Sequence, residues 1–454
     1  MPEAPVKIYI DKLLKKSREC SKAVSLLSGP SKAKALHMMA DRVAQDEDAI
    51  LAANEEDVEA VGKSFAGETN RERVREAVAR VRMNADDVKV MVDRLRLIAD
   101  LPDPLEEVRD RRNEPNGLQV NVVRVPLGVI GVISELKPLT TAESIALCLK
   151  SGNVCVFRGA PEWSKTHHVL AAGFSESAEQ AGIPPGAFTV LERPEKEAAL
   201  ELIRSGKALD GIIPRGGPGL RRAVQDQAKM PILCHDTGIT HIYIDEGADI
   251  PMAQNIVINS KAQQASAANS VDTLLVQQAI ARPLLSALIL RLLDEFKVEV
   301  LGCPKTVALM GQMSMSGHKS VRPATDADWS KQFQTATLAV KMVANIDDAL
   351  AHIAAYGPSH TCAIVTKSYD SALRFTKEVD AGGVLVNAST RLNAGDSLGL
   401  GADIGMSTSR VYARGPIGPQ HLTCEKYVVF GTGQLRQPHP VPLTYEDAIM
   451  LKRY

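Results

Sequence analysis

Aromatic side chains are scarce: two Trp, eight Tyr and eight Phe make up 4% of the 454 residues. Cores must therefore be built from Val, Ile, Leu and Ala. Charge of one sign is missing too. Fifty-three Lys and Arg offset 54 Asp and Glu to a net −1, so nothing supports binding to nucleic acid or to an anionic membrane surface. No apolar run approaches transmembrane length, and the opening M-P-E-A-P-V-K-I-Y-I-D-K lacks the apolar stretch of a signal peptide. The seven cysteines (Cys20, Cys148, Cys155, Cys234, Cys303, Cys362 and Cys424) contain no C-x-x-C pair. An odd, dispersed set reads as reduced thiols, and a cytoplasmic protein is expected. Also absent are a G-x-G-x-x-G after a strand and a G-x-x-x-x-G-K-[ST] loop, the two common glycine signatures for nucleotides. No internal repeat or low-complexity tract occurs.

What is present is room for two or three domains and a change of rhythm along the chain. The first hundred residues have helical spacing: Ile8, Leu13, Leu14 and Cys20, then Leu36, Met39 and Val43 behind Ser31 as N-cap. Asn54 is placed to cap another helix, and 70–98 reads as one long helix. Residues 101–116, with Pro102, Pro104 and Pro115, read as a polar connection. Period two begins at 118–125, and 128–133 follows as a second strand. Beyond it, strands at 154–157, 210–213, 232–234 and 241–244 alternate with helices at 142–150, 166–181, 195–205 and 220–227. A second block has strands at 274–276, 306–309, 337–343, 362–365 and 384–387, with helices at 284–296, 346–355 and 371–379. Short apolar strands spaced by helices predict an α/β protein with mostly parallel sheets covered on both faces.

Three places could carry chemistry. Residues 259–273, N-S-K-A-Q-Q-A-S-A-A-N-S-V-D-T, join a helix to a strand through small and amide residues. Such a loop either presents backbone to a ligand or is a tight connection that needs small residues to pack. Phe157-Arg158-Gly159 and Ile213-Pro214-Arg215-Gly216-Gly217 each put an arginine and glycine at the carboxyl end of a strand, before a helix. That is where open α/β sheets bind phosphates, and it is also an ordinary strand-to-helix turn. The run 399–405, G-L-G-A-D-I-G, reads as a backbone-packing element. His167-His168 are adjacent rather than four apart, and His235 and His241 read as structural, so no metal site is expected.

In combination these stretches resemble one family. N-x-K-x-Q-x-x-x-x-x-N-x-x-[DE]-T at 259–273, C-L-K-S-G-N at 148–153 and I-I-P-R-G-G at 212–217 are similar to γ-glutamyl phosphate reductases, aldehyde dehydrogenase relatives of L-proline biosynthesis. So are V-N-A-S-T-R at 386–391, L-G-L-G-A-D-I-G at 398–405, A-R-G-P-I-G at 413–418 and Y-G-P-S-H-T at 356–361. The resemblance spans roughly 13–436. It implies an aldehyde-dehydrogenase-like fold: two doubly wound α/β domains plus a β-ribbon oligomerisation element. Residues 1–245 would be the nucleotide-binding domain, with 118–125 contributing to the ribbon. Residues 246–393 would be the catalytic-type domain, and 394–454 would return to the first domain and supply the oligomerisation segment and tail. It also implies a homo-oligomer that reduces L-glutamate 5-phosphate to L-glutamate 5-semialdehyde with NADPH, held by Arg158, Gly159, Pro214, Arg215, Gly216 and Gly217.

The departures from the family fall at positions that, by the resemblance, would face the acyl phosphate. The family's nucleophilic cysteine falls at Ala268, directly before Asn269. A thiolate is both a good nucleophile and a tolerable leaving group, and a methyl group is neither. The family's Q-R-P is Gln263-Gln264-Ala265, its Y-E-S-R-P-N is Ser134-Glu135-Leu136-Lys137-Pro138-Leu139, its G-I-C-H is Gly238-Ile239-Thr240-His241, and its H-T-E is His360-Thr361-Cys362. Glu135, Lys137, Gln264, Cys362, Asn387 and Arg391 are the substrate-pocket candidates. Ser266 and Ser270 would need a shifted backbone to replace the nucleophile, and Cys362 on its strand is either a relocated thiol or an inert one. Three functions follow. One is the reductase; another is a nucleophile-less homologue with a nucleotide-binding, regulatory or scaffolding role beside a glutamate kinase or an active paralogue. The third, an altered enzyme acting without covalent catalysis, has no positive feature in the sequence.

Overall fold

A computed structural model describes residues 5–193, 195–233, 238–312, 320–357 and 359–435. It opens with five helices: α1 (Val6–Ser25), α2 (Gly29–Gln45), α3 (Glu47–Ser64), α4 (Arg71–Val81) and α5 (Ala85–Asp100). Ser28, not Ser31, caps α2, accepting the Ser31 N–H. The single helix expected over 70–98 is broken at 82–84. Asn84 accepts the Asp87 N–H at 3.0 Å while the Asp87 carboxylate accepts the Asn84 N–H, so the two side chains restart the helix. Asn54 does not cap a helix either. It is buried inside α3, accepting from Met83 N at 2.7 Å and donating to Val81 O at 3.1 Å, which satisfies the broken turn from a distance.

Next come β1 (Val108–Asn113), β2 (Gln119–Pro126), β3 (Val129–Ser134), α6 (Leu139–Lys150), β4 (Val154–Arg158), α7 (Ser164–Gln180), β5 (Phe188–Val190), α8 (Lys196–Arg204), β6 (Gly211–Arg215) and α9 (Pro218–Gln227). Strands β5-β4-β3-β6 form a four-stranded parallel sheet whose β3 and β4 are buried throughout. The strand expected at 232–234 is a single bridge from Ile232 to Ile212, and Cys234 and His235 lie outside the described residues.

The remaining elements are β7 (Ile239–Ile244), α10 (Ile250–Ala262), β8 (Thr273–Gln277), α11 (Gln278–Asp294), β9 (Glu299–Gly302), α12 (Pro304–Gln312), β10 (Val321–Pro323), α13 (Asp326–Trp329), β11 (Thr337–Val343), α14 (Ile346–Ala355), β12 (Ser359–Val365), α15 (Tyr369–Glu378), β13 (Ala381–Val386), β14 (Met406–Ser407), β15 (Gly415–Pro416) and β16 (Thr423–Phe430). A seven-stranded parallel sheet runs β10-β9-β11-β8-β7-β12-β13. Because β7 belongs to it, the chain leaves the first sheet before Ile239 rather than at Asp245. The strand expected at 306–309 is part of α12, because a short apolar run does not distinguish a strand from a buried helix turn. The 118–125 strand is β2, and it pairs antiparallel with β16 and with β1. The R-D-R-R-N of β1 is exposed at every position, so no alternation marks it in the sequence. Among the described residues, no helix is long and apolar enough to cross a membrane.

Candidate active site

The 259–273 loop is held at its base by a buried pair of charges. Lys261 and Asp272 are both sealed from solvent. The Lys261 ammonium donates to Val271 O at 3.0 Å, and the Asp272 carboxylate accepts Thr240 N at 3.0 Å and Phe333 N at 2.9 Å. Burial dominates both titrations, lowering Lys261 to about 8 and raising Asp272 to about 6, while each partner's charge opposes the shift. Asp272 thereby ties β8 to the start of β7 and to the segment before β11.

Above this base, half-buried Ala268 has its carbonyl fixed by two side-chain donors, Thr240 Oγ1 at 3.2 Å and Gln332 Nε2 at 3.3 Å. Gln332 carries no sequence signal, because it lies in an irregular turn and reaches the loop only through the fold. Asn269 donates to the carbonyls of Arg391 and Asn393 at 3.2 and 3.1 Å. Arg391 in turn donates Nη1 to Asn269 Oδ1, Nε to Gln263 Oε1 at 2.7 Å and Nη2 to Gln264 Oε1 at 2.9 Å. Its turn is joined to α10 by Ser260, whose hydroxyl meets Ser389 Oγ at 3.0 Å and accepts Thr390 N at 3.1 Å. The fold thus brings Ala268, Asn269, Gln264 and Arg391 into one cluster.

The other substrate-pocket candidates lie elsewhere. Cys362 faces the apolar core among Tyr243, Leu275 and Phe375, and burial pushes its thiol up to about 12. A thiol so placed holds no thiolate at neutral pH and does not reach the loop. Asn387 adopts φ 54° and spends its amide on Thr366, accepting from N at 2.9 Å and donating to O at 3.0 Å. Lys137 is exposed and pairs with Asp87 at 3.5 Å. Glu135 stands at the end of β3, where its carboxylate accepts Gly217 N at 3.0 Å.

Glu135 therefore belongs with the corner expected to take a nucleotide, whose residues lie together in the fold. Adjacent strands β4, β3 and β6 end side by side, with Ile133 in register with Arg158 and with Pro214. Arg158 is buried, and its pKa is lowered by desolvation against the pull of Glu135 and Glu162. Gly159 is obligatory, because a Cβ there would come within 2.1 Å of the His167 ring. That ring is driven down to about 4 by burial and the Arg158 charge, and it meets Thr141 Oγ1 at 3.0 Å. Gly216 and Gly217 lead into α9 with Pro218 in its first turn, and a Cβ on Gly216 would strike the Glu135 carboxylate at 2.4 Å. Arg215 packs its guanidinium against Gly405, where a Cβ would sit 2.3 Å from Nη1. The G-L-G-A-D-I-G run is thus the packing element expected of it. A cavity of about 510 Å³ opens beside the corner, lined by Gly159, Lys165, His168, Ser175, Thr189 and Glu192 among others. Glycines at the strand ends, two arginines and the α9 N-terminus suit a dinucleotide's phosphates. Among the described residues, no cluster of His, Cys, Asp and Glu could hold a metal.

Comparison with known proteins agrees with this geometry. The profile of the aldehyde dehydrogenase family matches residues 7–300, and that family works with a nicotinamide cofactor. The γ-glutamyl phosphate reductase of Magnetococcus marinus is 39% identical over 427 residues, covering 94% of this chain and 98% of that protein. That of Heliobacterium modesticaldum is 40% identical over 422 residues, covering 93% and 97%. The crystal structure of γ-glutamyl phosphate reductase from Thermotoga maritima superposes with a TM-score of 0.86 at 34% identity, covering 94% of this chain and 100% of that one. The chain belongs to the aldehyde dehydrogenase family, on the branch whose named members are γ-glutamyl phosphate reductases.

Proposed function

We propose that the chain serves the γ-glutamyl phosphate reductase reaction of L-proline biosynthesis, taking L-glutamate 5-phosphate to L-glutamate 5-semialdehyde with NADPH. The observation that carries this reading is identity near 40% along almost the whole of chains bearing that name. NADPH would lie at the ends of β3, β4 and β6, with Arg158 and Arg215 as cations and Gly159, Gly216 and Gly217 allowing close approach. When bound, the nicotinamide supplies the hydride. The chain's own part is to orient the acyl group over the 268 backbone, which Thr240 and Gln332 hold in place. With alanine at 268, no acyl group can pass to the protein at that position, so the substrate is reduced as bound: the acyl carbon takes the hydride and the C–O bond to phosphate breaks, releasing inorganic phosphate and the aldehyde.

Ala268 itself favours a second reading, a nucleophile-less homologue that binds nucleotide and regulates or scaffolds. One pair of measurements separates the two. Saturating NADPH should raise the melting temperature under either reading, through preferential binding to the folded state. Only the reductase should reduce NADP⁺ when given L-glutamate 5-semialdehyde and phosphate. A melting curve unmoved by both NADPH and NADH would defeat both.

A further inference from the structure

The Arg391 guanidinium is satisfied in an unusual way, because all of its side-chain partners among the described residues are neutral amides. Its Nε–H and Nη2–H point in the same direction along one edge of the planar group. On that edge sit Gln263 Oε1 at 2.7 Å and Gln264 Oε1 at 2.9 Å, two acceptors side by side. This is how the two oxygens of one carboxylate grip an arginine. The third nitrogen, Nη1, is turned inward to Asn269, whose amide also holds the Arg391 and Asn393 carbonyls. Asn269 is buried, whereas Gln263 and Gln264 are exposed. One edge is therefore anchored, and the opposite edge faces out behind two exposed, uncharged side chains. Asp396 is the acid whose charge Arg391 feels, and it is itself engaged by Arg94 at 3.7 Å.

From this geometry we propose that the Nε–Nη2 edge of Arg391 is a carboxylate receptor, with Gln263 and Gln264 as neutral placeholders that a ligand carboxylate displaces. The exchange replaces two neutral acceptors by one charged, bidentate acceptor, while the glutamine amides, already at the surface, return to water. The ligand class is a short-chain carboxylate whose remaining functional group reaches the 268 backbone, next to Asn269 in the same loop. The proposal deepens the functional reading above by assigning its substrate's carboxylate to this edge. It concerns binding alone, so it can stand or fall without turnover.

The test is calorimetric titration of the full chain with L-glutamate, with inorganic phosphate and with neutral glutaramide as separate ligands. L-Glutamate should bind, and glutaramide should not. Arg391→Gln should weaken L-glutamate roughly 10- to 100-fold, the range expected for losing a charge-assisted bidentate pair. Gln264→Glu is the sharper variant. It places a resident carboxylate on the same edge and should block L-glutamate to a similar degree, while Gln263→Ala with Gln264→Ala should preserve or tighten binding. The NADPH-induced rise in melting temperature, assigned to the ends of β3, β4 and β6, should persist in every variant and reports that each has folded. L-Glutamate affinity unchanged within twofold in Arg391→Gln or in Gln264→Glu overturns the proposal. So does phosphate binding as tightly as L-glutamate and being lost in the same variants, because the edge would then take phosphoryl oxygens. L-Glutamate binding through Arg391 without any reduction leaves the proposal standing and defeats the reductase reading; reduction with Arg391-independent affinity does the reverse.

Discussion

At the scale of single residues, position 268 has a firmly held backbone and a side chain that cannot act as a nucleophile. Thr240 and Gln332 hold the Ala268 carbonyl, and Asn269 is fixed by three contacts to the Arg391–Asn393 turn. A thiol placed on this backbone starts from an ordered position. In subtilisin, removing the nucleophile costs about 10⁶ in turnover, which sets the scale of such a loss. Ala268→Cys is therefore expected to raise NADP⁺ reduction with L-glutamate 5-semialdehyde and phosphate, and to make it sensitive to iodoacetamide. The native rate, whatever its size, should be insensitive. Full restoration is not expected, because a 1 Å misplacement of reacting groups costs about 100-fold and Gln264-Ala265 replaces a cation and a rigid turn beside the site. Restoring Arg and Pro at those positions together with the cysteine should recover more than the cysteine alone. Cys362 needs no reversal, because it is sealed in the core. An iodoacetamide-sensitive native enzyme whose activity disappears in Cys362→Ser would show this assignment of the thiols to be mistaken.

At the scale of elements, the strand-to-helix corners show what a sequence can and cannot reveal. Phe157-Arg158-Gly159 is legible as a strand-to-helix corner, but the reason for its glycine is not, because His167 approaches it only once α7 has packed against β4. Gly159→Ala should overlap that ring, cost about 1–3 kcal/mol by overpacking and abolish the melting-temperature rise given by NADPH. Equilibrium urea unfolding with and without NADPH measures both. Unchanged stability would mean that His167 can move aside freely. The same distinction runs through the fold. Short apolar runs and period-3.6 patterns locate most of β2 to β13, because strands buried on both faces read as continuous apolar stretches and helices with one buried face leave a regular trace. Three misreadings have physical causes. The helix break at 82–84 depends on a cap between Asn84 and Asp87 inside an unbroken apolar rhythm. The helix at 304–312 offers too few turns to declare its period. The edge strand β1 has no buried face at all. At the site, the family motifs pick out Ala268, Asn269, Gln264 and Arg391, all of which meet. They also pick out Cys362 and Asn387, whose side chains turn into the core and onto Thr366. Motif adjacency fixes a residue's place in the chain and leaves its rotamer to packing.

At the scale of the whole molecule, two properties follow from what is buried and what is left exposed. Burial holds His167, His241 and His360 down to about 4 and His352 to about 3, so all four are neutral in the fold and charged in an unfolded chain below pH 6.5. Stability from these groups is complete above 6.5 and is lost as pH falls toward 4. Asp272, raised to about 6, acts in the opposite sense between about 4 and 6. Near pH 5 unfolding should then take up roughly three protons, a slope of about 4 kcal/mol per pH unit at its steepest. Urea titrations between pH 4.5 and 7 measure it, and His241→Leu should remove about one proton from the uptake; a slope unaltered by that change would rule out the buried-histidine origin. The ribbon gives the second property. Its outer strand β16 leaves Tyr427 62% exposed, Val429 48% and Phe430 57%, and its other outer strand, β1, leaves Val108 55% exposed. Paired β-edges bearing apolar side chains are normally covered, because open backbone and apolar surface together invite association. Tyr427 and Val429 pair directly with Val122 and Val120, so these two exposed apolar side chains share one face of the ribbon. A second copy of the chain would cover that surface symmetrically. Light scattering at micromolar concentration is therefore expected to give at least twice the 48.9 kDa of one chain. Tyr427→Glu with Val429→Glu adds two charges to that face without touching either parallel sheet. It should shift the mass toward one chain while the NADPH-induced rise in melting temperature remains. A wild-type mass of one chain would refute the assembly, and an undiminished mass in the double variant would move the interface off the ribbon.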